Sequence, residues 1–183
     1  IARPGIVHRL DRTTTGVMIV AKGSSAHAFL KKQFQDRSTE KIYDAIVYGH
    51  PKEDGGTIEM EIGRTKTEPP RWSAQFGKKG KLRAAITDWK VLKRGADTQT
   101  GEKAAHLEAS PKTGRTHQIR VHLKAIHHPI ICDPLYAPGK PCLFGMTRPA
   151  LHARALTITL PSGERRRFEA AAPLDFQNAL LHI

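Results

Sequence analysis

The residues near the start of the chain whose types could do chemistry lie in the segment His8-Arg9-Leu10-Asp11. Asp11 has cationic neighbours at Arg9 and Arg12, and such neighbours hold a carboxylate ionised even when it is partly buried. A nucleophile or a general base requires this ionised form. The competing interpretation is a surface aspartate that pairs with an arginine in a turn, which is the usual arrangement of an isolated Asp-Arg pair.

A second segment with chemical potential covers residues 113–123. Gly114 makes a turn sharp there, and Arg115 stands just ahead of a predicted helix. From this position its guanidinium could bind a carboxylate or a phosphate in bidentate fashion, although an ordinary ion pair beside a helix is the simpler alternative. His117 and His122 lack the spacing of a helical zinc-binding pair, so no metal site is expected.

Several reaction classes lack their sequence signals. The chain has no Gly-x-Ser-x-Gly elbow and no serine or cysteine nucleophile beside a base. It also has no glycine-rich phosphate loop of the Walker or Rossmann type, so no nucleotide or dinucleotide cofactor is implied. The residues alone therefore indicate an Asp-Arg site and leave its reaction open.

The elements that must position this site are mostly strands. An apolar run at 17–21 predicts a buried strand, Ser24 or Ser25 can cap the helix that follows, and Thr116 can cap a helix over 117–126. Further strands are predicted at 41–49, 57–62, 84–94, 104–110, 150–160 and 166–172, an irregular loop at 133–149 and a closing helix at 173–181. Many strands with two or three helices, not in βαβ alternation, predict an α+β fold with a largely antiparallel sheet.

The charge of the chain favours a polyanionic partner. Lys and Arg number 30 against 17 acidic residues, which gives a formal net charge of +13 over 183 residues. Each contact with a phosphate releases condensed counterions, so a basic folded surface favours nucleic acid; an anionic membrane surface or plain solubility would also explain it. The basic segment 64–81, rich in Gly and Pro, predicts a mobile connection that contacts an RNA backbone, or simply a solvated loop.

Cysteine content and hydropathy bear on the cellular setting. Cys132 and Cys142 form no Cys-x-x-Cys pair, so two free thiols and a reducing, cytoplasmic setting are expected. No apolar run approaches the ~20 residues of a membrane span, and there is no basic-then-apolar leader. We therefore expect no membrane association. The length suits one domain better than two, and we expect a monomer.

Taken together, these segments resemble the RluA-type family of pseudouridine synthases. The resemblance spans essentially the whole chain, and its first and third blocks are long enough to be specific. Residues 8–11 with 14–16 resemble the block of the catalytic aspartate, 41–45 the block of the active-site tyrosine, 113–122 the block of the buried arginine, and 128–130 with Asp133 and Tyr136, then 151–153, two structural blocks near the C-terminus.

The resemblance implies isomerisation of a uridine in RNA to pseudouridine, without cofactor or metal. Asp11 would act on the sugar as nucleophile or base, and Arg115 would pair with Asp11 and keep it charged. Tyr43 would stack on the uracil and assist deprotonation at carbon C5. Arg9 would fill the space vacated by the flipped nucleotide, since extruding a base has an unstacking cost. Five further residues would support the site rather than react: His8, Thr15, His117, Gln118 and Arg120.

The resemblance also bears on substrate and completeness. Ribosomal RNA, and 23S RNA in particular, is the expected substrate ahead of tRNA, because the blocks most resemble the longer ribosomal members. The family's opening strands and any RNA-binding S4 domain lie outside residues 1–183, so we expect one catalytic domain that lacks its N-terminal part. Cys132 stands where the family usually has Gly, so we expect a different loop shape before Asp133.

Two alternatives to the enzyme are open at this point. A catalytically silent RNA-binding or ribosome-associated module is favoured by the basic surface and by the apparently missing N-terminal part. A metal-dependent nuclease ranks third, because the sequence has no cluster of carboxylates.

Overall fold

The computed structural model describes residues 5–66, 71–75 and 77–183, with the side chains of all of these except 78 and 79. Within these residues the chain forms ten strands and three helices. The strands are Thr15–Gly16 (β1), Glu40–Tyr48 (β2), Gly55–Glu59 (β3), Ile62–Thr65 (β4), Trp72–Ser73 (β5), Lys78–Arg83 (β6), Ile86–Ala96 (β7), Lys103–Pro111 (β8), Leu151–Thr159 (β9) and Arg165–Glu169 (β10). The helices are Ser24–Asp36 (α1), Gln118–Ala125 (α2) and Leu174–Leu181 (α3).

The large sheet has seven strands, in the order β1-β9-β2-β8-β7-β3, with β10 also paired to β9. Only the short β1 runs parallel to its neighbour, and all other pairs are antiparallel. The predicted α+β fold with a largely antiparallel sheet is therefore confirmed. Strand β2 lies near the middle, and its register against β9 shifts between Ile42 and Tyr43. Such a bulge turns the local strand direction, a feature common beside active sites.

The main core packs against the central strands β2 and β8. Ala45, Ile46 and Val47 of β2 are fully buried there, as is Phe176 of α3. Phe176 and Ala179 attach α3 to this core. Among the described residues, none of the three helices is long and apolar enough to cross a membrane.

The predicted buried strand at 17–21 is wrong. The one named strand here is β1, which ends at Gly16, and Met18 and Val20 are 47% and 49% exposed. The reason lies in β9, whose edge from Ala155 to Thr159 is already occupied by β10. Only His152 and Ala153 are left for β1, so beyond Gly16 the apolar run makes one isolated antiparallel bridge, between Val20 and Ile6, instead of a strand in the sheet.

The predicted mobile connection at 64–81 is largely a second sheet instead, with the order β5-β4-β6. Residues 67–70 and 76 of this segment lie outside the described residues. Ile62 and Trp72 of this sheet pack with Val121 and Ala125 of α2. Long-range strand pairing and this apolar contact outweigh the local Gly and Pro signals.

Both predicted helix caps are also wrong. Helix α1 begins after Gly23, and α2 begins after His117 rather than after Thr116; neither cap makes a side-chain hydrogen bond. His117 has a φ of 54°, in the left-handed region that non-glycine residues rarely adopt. The His117 ring contacts the Tyr136 hydroxyl. This tertiary contact holds His117 at the start of α2, although its side chain does not cap the helix.

The prediction of two free thiols is contradicted, because Cys132 and Cys142 form a disulfide. The irregular loop at 133–149 doubles back and brings the two Cα atoms to 4.6 Å, within the range that a disulfide spans. Cys132 has a φ of 60°, which fits a position where glycine is the easier residue. The cysteine pair thus gives no support to the expected reducing setting.

Candidate active site

A cavity of about 400 Å³ opens between the N-terminal segment, the end of α1, strand β2 and the turn before α2. Elements distant in sequence meet here because β2 and β8 are neighbours and α2 follows β8 directly. The cavity brings together most of the predicted site residues: His8, Arg9, Asp11, Tyr43, Arg115, His117, Gln118 and Arg120. Thr15 is the one predicted site residue that does not line it.

Asp11 is held by Arg120, whose Nη1 lies 3.3 Å from Asp11 Oδ2. The side chain of Asp11 is 18% exposed and that of Arg120 is 6% exposed. Arg115 was predicted to be the partner of Asp11, and this role is corrected: among the described residues the ion pair of Asp11 is made by Arg120. Arg120 lies inside α2, beside the apolar face of the helix, and so it approaches Asp11 from the protein interior.

Arg120 is itself fixed by a second carboxylate. Its Nε donates to Asp133 Oδ2 at 2.7 Å and its Nη2 to Asp133 Oδ1 at 2.9 Å. The fully buried Asp133 also accepts the backbone N–H groups of Leu135 and Tyr136. Two hydrogen bonds to one carboxylate fix the plane of the guanidinium. Its remaining donor, Nη1, therefore points towards Asp11.

The two neighbouring carboxylates keep the Arg120 guanidinium charged. Burial alone would lower the pKa of Arg120, but the hydrogen bonds and charges of Asp133 and Asp11 raise it. The buried guanidinium offsets one of the two negative charges, and such pairing is the condition for burying ions at all. The arrangement therefore presents the Asp11 carboxylate to the cavity with a cation on its buried side.

Arg115 faces the same cavity with different partners. Its Nε donates to the carbonyl oxygen of Ala84 at 3.1 Å. Burial lowers the pKa of Arg115, and the nearby charges of Arg37 and Arg83 lower it further. Burial is the larger cause of this shift, and the charges that add to it belong to two other cations.

Tyr43 lies at the bulge of β2 and lines the cavity. Burial, and then the charge of Asp11, raise the pKa of Tyr43 to about 12. The phenol is therefore protonated at neutral pH. This state suits an aromatic platform and disfavours the predicted role in deprotonation, because a protonated phenol cannot accept another proton.

His117 and Gln118 shape the cavity wall. His117 Nδ1 lies 2.8 Å from the Tyr136 hydroxyl, and the Arg120 guanidinium lies over the Tyr136 ring at 4.9 Å from its centroid. Burial, and then the charge of Arg120, lower the pKa of His117. The Gln118 side chain accepts hydrogen bonds from the Thr113 hydroxyl and the backbone N–H of Arg115, which fixes the turn.

His8 and Thr15 act on the scaffold. His8 Nε2 accepts the backbone N–H of Ile19 at 3.0 Å, and its ring stacks on Phe34 at 4.6 Å. Burial, and then the charge of Lys41, lower the pKa of His8 to about 4, so the ring is neutral at pH 7. The Thr15 hydroxyl lies 2.9 Å from His152 Nδ1, which ties β1 to β9 rather than touching Asp11.

Sequence reasoning missed three cations that line the cavity, Arg37, Lys41 and Lys112, and it assigned Asp133 only to a structural block. Their positions depend on contacts between distant segments, for which the local sequence carries no signal. For Arg120 the local sequence did carry a signal, because this residue follows Ile119 and lies one turn from Leu123 on the apolar side of a predicted helix. Among the described residues, no group of three or more His, Cys, Asp or Glu side chains could hold a metal ion.

Comparison with known proteins decides the family. A sequence profile described as RNA pseudouridylate synthase matches residues 2–125, which is more than half of the chain and includes Asp11, Tyr43 and Arg120. The chain belongs to the RNA pseudouridylate synthase family. It is 38% identical over its whole length to an uncharacterised RNA pseudouridine synthase of Synechocystis, and 40% identical over 98% of its length to a ribosomal large subunit pseudouridine synthase D of Neisseria meningitidis.

Solved structures agree with this membership. Human RNA pseudouridylate synthase domain containing 1 superposes with a TM-score of 0.79 and 30% sequence identity, covering 92% of this chain and 69% of the human one. The chain spans about half the length of the curated relatives it matches: 54% of the Synechocystis protein and 48% of the Neisseria protein. The resemblance found from the sequence motifs is thus confirmed at the level of the family.

Proposed function

We propose that this chain isomerises uridine in RNA to pseudouridine, with Asp11 as the reactive carboxylate. The observation that carries the proposal is the chain of contacts from Asp133 through Arg120 to Asp11 at the cavity. It supplies a carboxylate held by a buried guanidinium in the same cavity as an aromatic side chain, Tyr43. A cavity of about 400 Å³ is in the range of pockets that enclose a small ligand, and a single nucleotide is of that class.

The proposed reaction assigns each group a step. A uridine is flipped out of its RNA strand into the cavity, and Arg9 at the exposed rim fills the vacated space. Asp11 acts on the ribose as nucleophile or base while the bond between base and sugar breaks. The uracil stacks on Tyr43 and turns, and its C5 is joined to the ribose. The C5 hydrogen leaves to solvent as a proton, and N1, released from the sugar, takes up a proton. No redox change occurs, so the residues need no external electron donor or acceptor.

We propose 23S ribosomal RNA ahead of tRNA as the substrate. Support comes from the relatives named ribosomal large subunit pseudouridine synthase D in Neisseria meningitidis and Zymomonas mobilis, at 40% and 36% identity. Because one chain supplies Asp11, Arg120 and Tyr43, we propose that residues 1–183 act as one catalytic domain and as a monomer. An RNA substrate is also the reason to propose a cytoplasmic location.

The test uses the release of hydrogen from C5. RNA transcripts of 23S RNA and of tRNA are made with uridine tritiated at C5, and tritium released to water is counted after incubation with the full chain. We expect release from the 23S transcript. The competing function, a silent RNA-binding module, is favoured by the net charge of +13. Binding of both transcripts with no tritium release from either would favour the module and contradict the enzyme.

A further inference from the structure

Four cations line the cavity besides the Arg9 rim and the Asp11–Arg120 pair: Arg37, Lys41, Lys112 and Arg115. They come from the end of α1, from β2 and from the turn after β8. Asp11 is the only acidic residue among the described lining residues, and Arg120 already pairs with it. The wall formed by these four cations therefore carries positive charge that no acidic residue among the described lining residues neutralises.

Two of these cations donate to neutral backbone carbonyl groups. Lys41 Nζ donates to the carbonyl oxygen of Thr113 at 3.1 Å, and Arg115 Nε donates to that of Ala84. Within the described residues, Lys112 is the one member with a carboxylate within 4 Å, Asp88 at 3.0 Å. Both side chains of that pair are well exposed, so it is weak.

The cations also act on each other. Burial lowers the pKa of Lys41 to about 8, and the charges of Arg37 and Lys112 contribute to the shift. Arg37 lowers the pKa of Arg115 as well, after burial. Like charges held together without a counter-charge are destabilising, and a bound anion would relieve the repulsion.

The backbone at Arg37 gives a separate indication. Arg37 ends α1 with a φ of 59°, in the left-handed conformation for which glycine is the easiest residue. An arginine in this conformation costs on the order of 1 kcal/mol. Backbone strain of this kind, at a residue whose side chain lines a cavity, is often connected with function.

We propose that Arg37, Lys41 and Arg115 form a binding site for a phosphodiester group of the RNA strand, next to the nucleotide that enters the cavity. The guanidinium and ammonium groups offer several N–H donors to the two non-bridging phosphate oxygens, which is the preferred recognition of this group. The inference rests on the proposed function only in taking RNA as the ligand. It goes further by assigning the strand to one wall of the cavity.

The test measures binding separately from reaction. The probe is a fluorescein-labelled oligouridylate of twelve nucleotides, and its affinity for the full chain is measured by anisotropy at several salt concentrations. The variant is Arg37→Gly, because glycine removes the charge and suits the left-handed backbone. Thermal unfolding should therefore be unchanged or slightly improved. The control is Lys31→Ala, which removes an exposed cation from the same helix but outside the cavity.

We expect Arg37→Gly to weaken binding about 10-fold at moderate salt, as for loss of one charged hydrogen-bond partner. The slope of log affinity against log salt should fall by about 0.7, the value for one phosphate contact on a single strand. Lys31→Ala should change neither quantity appreciably. Equal effects of the two variants, or no effect of Arg37→Gly, would overturn the proposal. RNA would then be attracted by the net positive charge of the chain, with no specific phosphate contact at Arg37.

A second variant and a second probe keep the result specific. Lys41→Gln can keep a hydrogen bond to the Thr113 carbonyl while losing the charge, and it should weaken binding similarly. An oligouridylate with neutral methylphosphonate linkages should bind wild type and Arg37→Gly equally; a remaining preference of the wild type would contradict a phosphate contact. If the chain released no tritium from any RNA but these binding results held, the proposed reaction would fail and the phosphate site would stand.

Discussion

Two parts of the same cavity treat charge in opposite ways. In the buried part, Arg120 lies between Asp11 and Asp133, and its donors are shared between the two carboxylates. In the basic wall, which consists of Arg37, Lys41 and Arg115, Lys41 and Arg115 donate to backbone carbonyl oxygens, and the charge of Arg37 contributes to lowering the pKa of both. Internal compensation holds a reactive group in one orientation, whereas uncompensated charge suits the binding of an external anion. The four changes below test that contrast, from the largest expected effect to the smallest.

Replacing Arg120 should damage the buried part most. Arg120→Met leaves the carboxylate of Asp133, which is 0% exposed, without its bidentate partner. Removing one member of a buried ion pair costs about 3–5 kcal/mol. We expect a loss of that order in the free energy of unfolding by denaturant, together with loss of tritium release. Arg120→Lys, which keeps the charge and loses the bidentate geometry, should be intermediate; full stability of Arg120→Met would show that the buried part does not depend on compensation.

His8 reports on the basic wall through pH. Its pKa is lowered from 6.5 to about 4 by burial and by Lys41, so the unfolded chain binds more protons than the folded chain between these values. Stability is therefore complete above pH 6.5 and falls as the pH drops towards 4, by at most about 3 kcal/mol.

The measurement for His8 is the free energy of unfolding from pH 4 to pH 7 in wild type and His8→Gln. The amide can still accept the Ile19 N–H, but it does not titrate. We expect the variant to lose a large part of the pH dependence in this window. An identical pH slope in both proteins would mean that His8 is not held neutral.

The disulfide closes the segment between Cys132 and Cys142, which contains Asp133. Cys132 and Cys142 are 10 residues apart, and closing a loop of this size stabilises the folded state by about 2–3 kcal/mol. We expect dithiothreitol to lower the melting temperature of the wild type and to leave the Cys132→Ser, Cys142→Ser double variant unchanged. Equal melting temperatures of wild type with and without the reductant would mean that the bridge contributes nothing.

Arg115→Gln should have the smallest effect on stability, below about 1 kcal/mol, because Arg115 is partly exposed and bonds a carbonyl. RNA affinity should fall with a reduced salt slope, while the rate at saturating RNA changes little. This outcome would separate Arg115 from Arg120. A collapse of the saturated rate with unchanged affinity would instead assign Arg115 to the reacting groups.

The sequence predicted what depends on local pattern. Strands β7, β8, β9 and β10 lie close to their predicted ranges, and Asp11 and Tyr43 both line the cavity. It did not predict which arginine reaches Asp11, because Arg120 and Asp11 are 109 residues apart and only packing of α2 brings them together. The apolar run at 17–21 failed for a similar reason, since the occupied edge of β9 is a tertiary fact. The disulfide depends on the path of an irregular loop that no periodicity describes.

Asp11, paired with Arg120 at the cavity, is the group that we propose reacts. The most direct measurement is the single-turnover rate of tritium release from the 23S transcript with Asp11→Asn, which keeps the size of the side chain and removes its charge. The control is Asp54→Asn, an exposed carboxylate far from the cavity that pairs with Arg94. We expect Asp11→Asn to be at least about 1000-fold slower and Asp54→Asn to match the wild type. An Asp11→Asn protein that releases tritium at the wild-type rate would contradict the claim.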